Sequence, residues 1–121
     1  MSLAFLLGVG VLGGLGSVAR FVLDGAVSRR ADRSFPYGTL TVNLSGALVL
    51  GVLVGSGLGS DALRLVGVGL VGGYTTFSTW VFESHRLAEA GDGRVAIANF
   101  VVSMLAGLAA VWAGKQLGMA L

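Results

Sequence analysis

Hydrophobic residues fill this chain in four long blocks, at about positions 3–23, 37–59, 62–82 and 95–119, with most of the charged residues between them. Crossing ~30 Å of hydrocarbon takes about 20 apolar residues in a helix. Each block is long enough, so the pattern predicts four transmembrane helices. Pro36 stands just before the second block, where proline suits a helix start. The polar stretch 24–34 joins the first two helices, Gly59-Ser60-Asp61 forms a short turn, and residues 83–94 join the last two. The expected fold class is an all-α membrane protein, a single four-helix transmembrane domain over residues 1–121.

The third block departs from the pattern. Its second half reads Gly72-Gly73-Tyr74-Thr75-Thr76-Phe77-Ser78-Thr79-Trp80. Glycines, threonines and a serine are poor material for the centre of a lipid-spanning helix. Backbone freed by a helix break cannot face lipid, where nothing satisfies its amide groups, so a break survives only buried in protein or lining a polar path. Broken helices at the midplane are also where transporters place ion sites. The third helix is therefore expected to break at the midplane, beside a polar, aromatic-flanked site.

Composition agrees with a membrane setting. The chain is 12% charged, against about 25% in soluble domains, and its mean hydropathy is +0.87. Its 21 glycines suit membrane helices, which use glycine more often than soluble ones. The formal charge of +2 is small, and the pI near 9.7 reflects few ionisable groups, so no nucleic-acid partner is expected. With no cysteine and only His85, disulfides, thiolate metal sites and His/Cys metal centres are excluded. The N-terminus lacks a positive n-region and its apolar run is too long for a signal peptide, so it is read as the first span.

Small residues recur at four-residue spacing: Gly10 and Gly14, Gly69 and Gly73, Ser103 and Gly107, and Ala106, Ala110 and Gly114. Such pairs let helix backbones approach closely in membranes. Gly8 to Gly13 and Gly67 to Gly72 both fit G-x-G-x-x-G, but that dinucleotide motif needs a preceding strand and a βαβ unit, and both lie within hydrophobic spans. Arg29, Arg30 and Arg33 lie in the first loop and Arg86 and Arg94 in the third, against Arg64 and Lys115 at the opposite side. The positive-inside rule then puts loops one and three in the cytoplasm.

Several residues are candidates for chemistry. Arg20, near the cytoplasmic end of the first span, either snorkels to the interface or makes a vestibule that attracts anions. Asp24, one turn on, is a possible partner for it. Thr39 and Asn43 share a helix face. An amide offers two N–H donors, which suit an unhydrated anion, and it equally serves as interhelical glue. Asn99 and Ser103 share a face of the fourth span with Gly107, as a polar track or as simple packing. Phe77 and Trp80, beside Ser78 and Thr79, could turn positive ring edges toward a path or fill a helix interface.

The motif Gly72 to Thr79 is similar to the signature of the small bacterial fluoride channels, the Fluc or CrcB family. Gly38-Thr39-Leu40-Thr41-Val42-Asn43-Leu44-Ser45-Gly46 resembles that family's second-helix signature, and Gly13-Gly14-Leu15-Gly16-Ser17-Val18-Ala19-Arg20-Phe21 its first. Length, span number and motif order match as well. The resemblance implies an antiparallel, dual-topology dimer with two fluoride pores, in the bacterial inner membrane. It also implies a structural sodium ion at the dimer interface, held by the backbone carbonyls of Gly72 and Thr75. Carried over by position, Asn43 is the pore amide, Phe77 the first pore phenylalanine, Ser78 and Thr79 hydroxyls near the path, and Asn99, Ser103 and Gly107 a fourth-helix polar track. Trp80 stands where the family usually has a second phenylalanine, and Asn99 and Gly107 where some members have Tyr and Ser.

The expected function is passive export of fluoride, with no enzyme activity. Fluoride and the lipid bilayer are the expected partners, along with a second identical chain or a paralogue. A proton-coupled small multidrug exporter is the main alternative. It needs a carboxylate deep in the membrane, whereas Asp24 and Glu83 sit at the ends of spans. The other alternative is a non-conducting partner subunit of a heterodimeric fluoride channel.

Overall fold

The structure, a computed structural model, describes residues 2–121. The described residues form helices and connecting turns, with four helical stretches long and apolar enough to cross a membrane. Helix α1 spans Leu3–Arg30, α2 Tyr37–Gly55 and α6 Gly93–Met119. The third span, Ser60–Glu89, is composite. It starts as α3 (Ser60–Leu63), widens into a π-helix (Arg64–Val71), tightens into α4 (Gly72–Tyr74), breaks at residues 75–77, and resumes as α5 (Ser78–Glu89).

Helix α1 runs on to Arg30, past the apolar block that ends at position 23. Hydrophobicity marks the membrane, whereas a helix needs only paired backbone and tolerable propensity. Arg29 and Arg30 in the last turn also suit the negative end of the helix dipole. The turn between the second and third spans is residues 56–59, with Gly57 at φ 75°, so Ser60 and Asp61 already belong to α3.

The molecule is polar inside and apolar outside. Its buried positions include Thr39, Thr76, Ser84 and Asn99 beside Val42, Val71 and Ala96. Large hydrophobics such as Leu6, Val11, Phe21, Leu105 and Trp112 point outward. In lipid, apolar burial gives little drive, so close packing and hydrogen bonds must hold the helices.

Glycines allow that packing. Helices α2 and α6 interlock through Gly51 and Gly55 on one side and Gly114 and Gly118 on the other. A Cβ at Gly51 would overlap the Val111 carbonyl, and one at Gly114 would overlap the Leu48 carbonyl. The Gly69 and Gly73 pair likewise sits on α1, against Val9 and Gly13. Ser17 adds a tie, donating to the carbonyls of Gly13 at 3.0 Å and Gly73 at 3.3 Å. The Gly10 and Gly14 pair has nothing within 4 Å and makes no such contact.

The cytoplasmic loops predicted from charge lie at one end. Arg33 of the first and Arg86 of the third line the same crevice with Pro36 and Glu83.

Candidate functional site

The site grows from the break. Thr75 is extended, with φ −77° and ψ 160°, and no described non-glycine residue has a positive φ. The break is thus made of ordinary backbone conformations rather than a proline or a left-handed glycine. What holds it is Asn43 on α2. The Asn43 Nδ2 donates to the Thr76 carbonyl at 2.8 Å, and the Thr76 N–H donates to Asn43 Oδ1, also at 2.8 Å. One side-chain amide therefore pairs with both polar groups of one peptide residue, as a strand neighbour would. The second N–H of that amide finds no protein partner among the described residues.

This pairing redirects hydrogen bonds. In a continuous helix the Thr76 N–H would go to the Gly72 carbonyl and the Thr79 N–H to the Thr75 carbonyl. Instead the first goes to Asn43 and the second to the Thr76 hydroxyl at 3.2 Å. The Gly72 and Thr75 carbonyls are thereby released from their helical donors. Such dipoles, taken out of water, require a hydrogen-bond donor or a cation.

Two cavities meet at Thr76. The larger, about 450 Å³, is lined by Asn43, Thr75, Phe77, Trp80 and Ser103 together with Gly72 and Gly107. The smaller, about 190 Å³, is lined by Arg20, Asp24, Thr39 and Thr79. Thr76 is on both walls. The Asn43–Thr76 pairing therefore stands at the partition between an arginine-bearing vestibule and an aromatic-walled chamber.

The structure gathers most of the residues singled out by sequence and leaves some apart. Arg20 lines the vestibule with Asp24, and Asp24 accepts from Ser28 at 3.1 Å. Thr39, nearly fully buried, donates to Glu83. Ser78 lies on neither wall and is exposed, as are Phe77, at 71%, and Gly72. Asn99 is also off both walls. Its Nδ2 donates to Ser84 Oγ at 2.8 Å and its Oδ1 accepts from Ser103 at 3.3 Å, so it ties α6 to α5. Ser103 carries the polar face to the larger cavity instead.

Trp80 is fixed from three directions. Its Nε1 donates to the Asn99 carbonyl at 3.2 Å. Its ring stacks on Phe100, with centroids 4.7 Å apart and planes at 19°. It also meets Phe77 edge-on, at 5.6 Å and 74°. Sequence reasoning missed Ser84, Phe100 and the Glu83–Thr39 pair. Each is a partner brought from another helix, and only the membrane-end carboxylate carried a sequence signal.

Residues 7–115 match the family described as CrcB-like protein, Camphor Resistance (CrcB). A fluoride-specific ion channel FluC 2 of Mycolicibacterium paratuberculosis is 55% identical over 116 residues, covering 96% of this chain and 95% of its own length. The FluC 2 channel of Mycobacterium tuberculosis is 52% identical over 115 residues, covering 95% and 91%. The fluoride-specific ion channel FluC 1 of Symbiobacterium thermophilum is 40% identical over 116 residues, covering 91% and 94%.

Proposed function

This chain belongs to the CrcB-like protein family, and from that premise we propose that it is a fluoride-specific ion channel of the bacterial cell membrane, a multi-pass protein through which fluoride leaves the cytoplasm passively. Hydrogen fluoride crosses membranes, ionises in a more alkaline interior and is trapped as an anion. A negative-inside potential then drives the anion out through a selective pore.

The observation that carries the reading is the break in the third span, with its freed backbone and the Asn43 amide beside a cavity walled by Phe77, Trp80 and Ser103. A selective path must replace hydration without holding the ion tightly. Hydroxyls, one spare amide N–H and positive ring edges are donors of moderate strength. Arg20 gathers the anion at the vestibule, and Thr39 and Thr79 lie beside it. In this reading Asn43 does two things: it clamps the break with one N–H and its carbonyl oxygen, and it turns the remaining N–H to the path. Ser78, exposed beside Phe77, meets the path only where a second chain closes over it.

That second chain is the remaining element of the proposal. Two antiparallel copies, or this chain and a paralogue, cross at their breaks. The Gly72 and Thr75 carbonyls fit a sodium ion, because both have lost their helical donors and hard oxygens suit a hard cation. Bound there, sodium offsets the desolvation of the carbonyl dipoles. The numbering of relatives as FluC 1 and FluC 2 supports the paralogue version. A proton-coupled exporter gains no support, since Asp24 and Glu83 sit toward the arginine-rich end rather than the middle of the spans.

The test is fluoride efflux from liposomes holding this chain alone, read with a fluoride electrode, beside chloride efflux and cationic-dye transport. Fluoride efflux without the others is expected. Dye transport coupled to protons would overturn the reading. Cysteine labelling at both termini from each face separates dual insertion from a fixed orientation that needs a paralogue.

A further inference from the structure

Phe100 lies in the first third of α6, partly exposed, next to Val101 and Val102, where nothing in the sequence marks it out. Its ring is stacked on Trp80, and Trp80 is in turn edge-on to Phe77, the aromatic at the break. Phe77 begins α5 from a non-helical segment and is 71% exposed, so little in its own chain segment fixes its ring. Trp80 is the aromatic side chain that touches it.

Two constraints fix Trp80. The bond from Nε1 to the Asn99 carbonyl sets the reach of the indole toward α6, and the Phe100 stack sets its tilt. A hydrogen bond alone lets a ring swing about the N–H axis, whereas a stacked partner removes that freedom. Aromatic pairs prefer offset-stacked or edge-to-face geometry, and each of the two contacts takes one of these forms.

We infer that Phe100 is a positioning residue for the ion path: acting through Trp80, it holds the Phe77 ring at the cavity wall. This rests on the fluoride-channel reading for the meaning of that wall. Phe100 itself is absent from the walls of both cavities at the break, so it acts at one remove. A side chain that only filled space would be replaceable by any apolar group of similar size. A buttress that acts by stacking needs a ring.

The experiment compares Phe100→Leu with Phe100→Tyr. Loss of the ring is expected to lower fluoride efflux by a factor between about two and about ten, the worth of one aromatic pair, and tyrosine is expected to restore it. In a Trp80→Leu background, Phe100→Leu should add nothing, because the link it acts through is gone. Wild-type efflux in Phe100→Leu, equal loss in leucine and tyrosine variants, or independent multiplying effects would each overturn the inference. Phe100→Met is the second ringless variant should the leucine chain fail to assemble.

A second readout needs no transport. The chain has two tryptophans, Trp80 and Trp112, and Trp112 is outward-facing and 66% exposed. A Trp112→Phe chain therefore reports on Trp80 alone. Time-resolved anisotropy should show faster local motion of the indole in Phe100→Leu or Phe100→Met and unchanged motion in Phe100→Tyr. Identical motion in all of them overturns the inference. If the wild-type chain alone moves no fluoride, the homodimeric form of the channel reading fails, and the anisotropy still decides whether Phe100 holds Trp80.

Discussion

Replacing Asn43 by aspartate changes one NH₂ group for an oxygen and keeps nearly the same shape. The Oδ1 that accepts from the Thr76 N–H remains. The donor to the Thr76 carbonyl is lost, and a carboxylate oxygen faces that carbonyl across a gap that was a 2.8 Å hydrogen bond. Thr76 is 9% exposed, so water does not readily replace the donor. Leaving a buried carbonyl unsatisfied costs roughly 1–3 kcal/mol. At about 1.4 kcal/mol per tenfold, the clamped break falls in population by a factor of about 5 to about 150.

The charge adds a second effect. An anion passing within about 4 Å of a carboxylate is repelled by about 4 kcal/mol at an effective dielectric constant near 20, which is roughly three orders of magnitude in occupancy. Asn43→Asp is therefore expected to reduce fluoride efflux by more than about a hundredfold. Asn43→Ala, which loses both bonds without adding charge, is expected to lose less. The assay is electrode-recorded efflux from liposomes at neutral pH, with size-exclusion elution in detergent to confirm that both chains are folded. Efflux from Asn43→Asp within tenfold of wild type, in a chain that elutes normally, would refute the reasoning.

Three further outcomes are expected. Phe77→Ile fills the same space without a positive ring edge and should cut efflux strongly, whereas Trp80→Phe keeps a stackable ring and should stay within about threefold of wild type; normal conduction by Phe77→Ile would leave packing as the whole role of that ring. Gly114→Ala puts a methyl into the Leu48 carbonyl on α2 and should lower the thermal unfolding midpoint in detergent, by overpacking worth roughly 1–3 kcal/mol or more, while Gly14→Ala meets nothing within 4 Å and should leave it unchanged; equal midpoints would show that the α2–α6 seam is not tight. Replacing all sodium with a large organic cation should abolish efflux and restoring sodium should recover it, and efflux that ignores the exchange would exclude a cation at the Gly72 and Thr75 carbonyls.

Much of the fold could be read from residue order alone. Four apolar blocks gave four spans, because hydrocarbon thickness imposes one length scale on every crossing. The break was legible because six of the nine residues from Gly72 to Trp80 are glycine, serine or threonine, an unusual density for mid-membrane. What escaped depends on partners. The π-helical widening over Arg64–Val71 has no composition of its own, and its register shows only in bonds such as the Gly72 N–H reaching the Gly67 carbonyl. Of the α2–α6 seam, only Gly114 was singled out by spacing, although Gly51 and Gly55, and Gly114 and Gly118, are four apart as well; which of many such pairs makes a contact shows only when two helices face each other. For Asn43 both readings stayed open in the sequence. The geometry gives it the gluing role directly, with one N–H left for any other.

The way the third span is broken bears on how the protein is made. No proline sits in the break and no described non-glycine residue takes a positive φ, so the segment contains nothing that prevents a straight helix. Its bend is imposed by an amide on another helix. During synthesis the second span precedes the third, so Asn43 is already in the bilayer when Thr76 arrives beside it. A continuous third helix can therefore be inserted with its own backbone bonds intact, and opened only after docking, when the Thr76 and Thr79 N–H groups exchange their helical acceptors for others at hand. The segment need never present bare amides to lipid on its way in. A chain in which the second span is delayed or misoriented would keep an unbroken third helix, well inserted and unable to conduct.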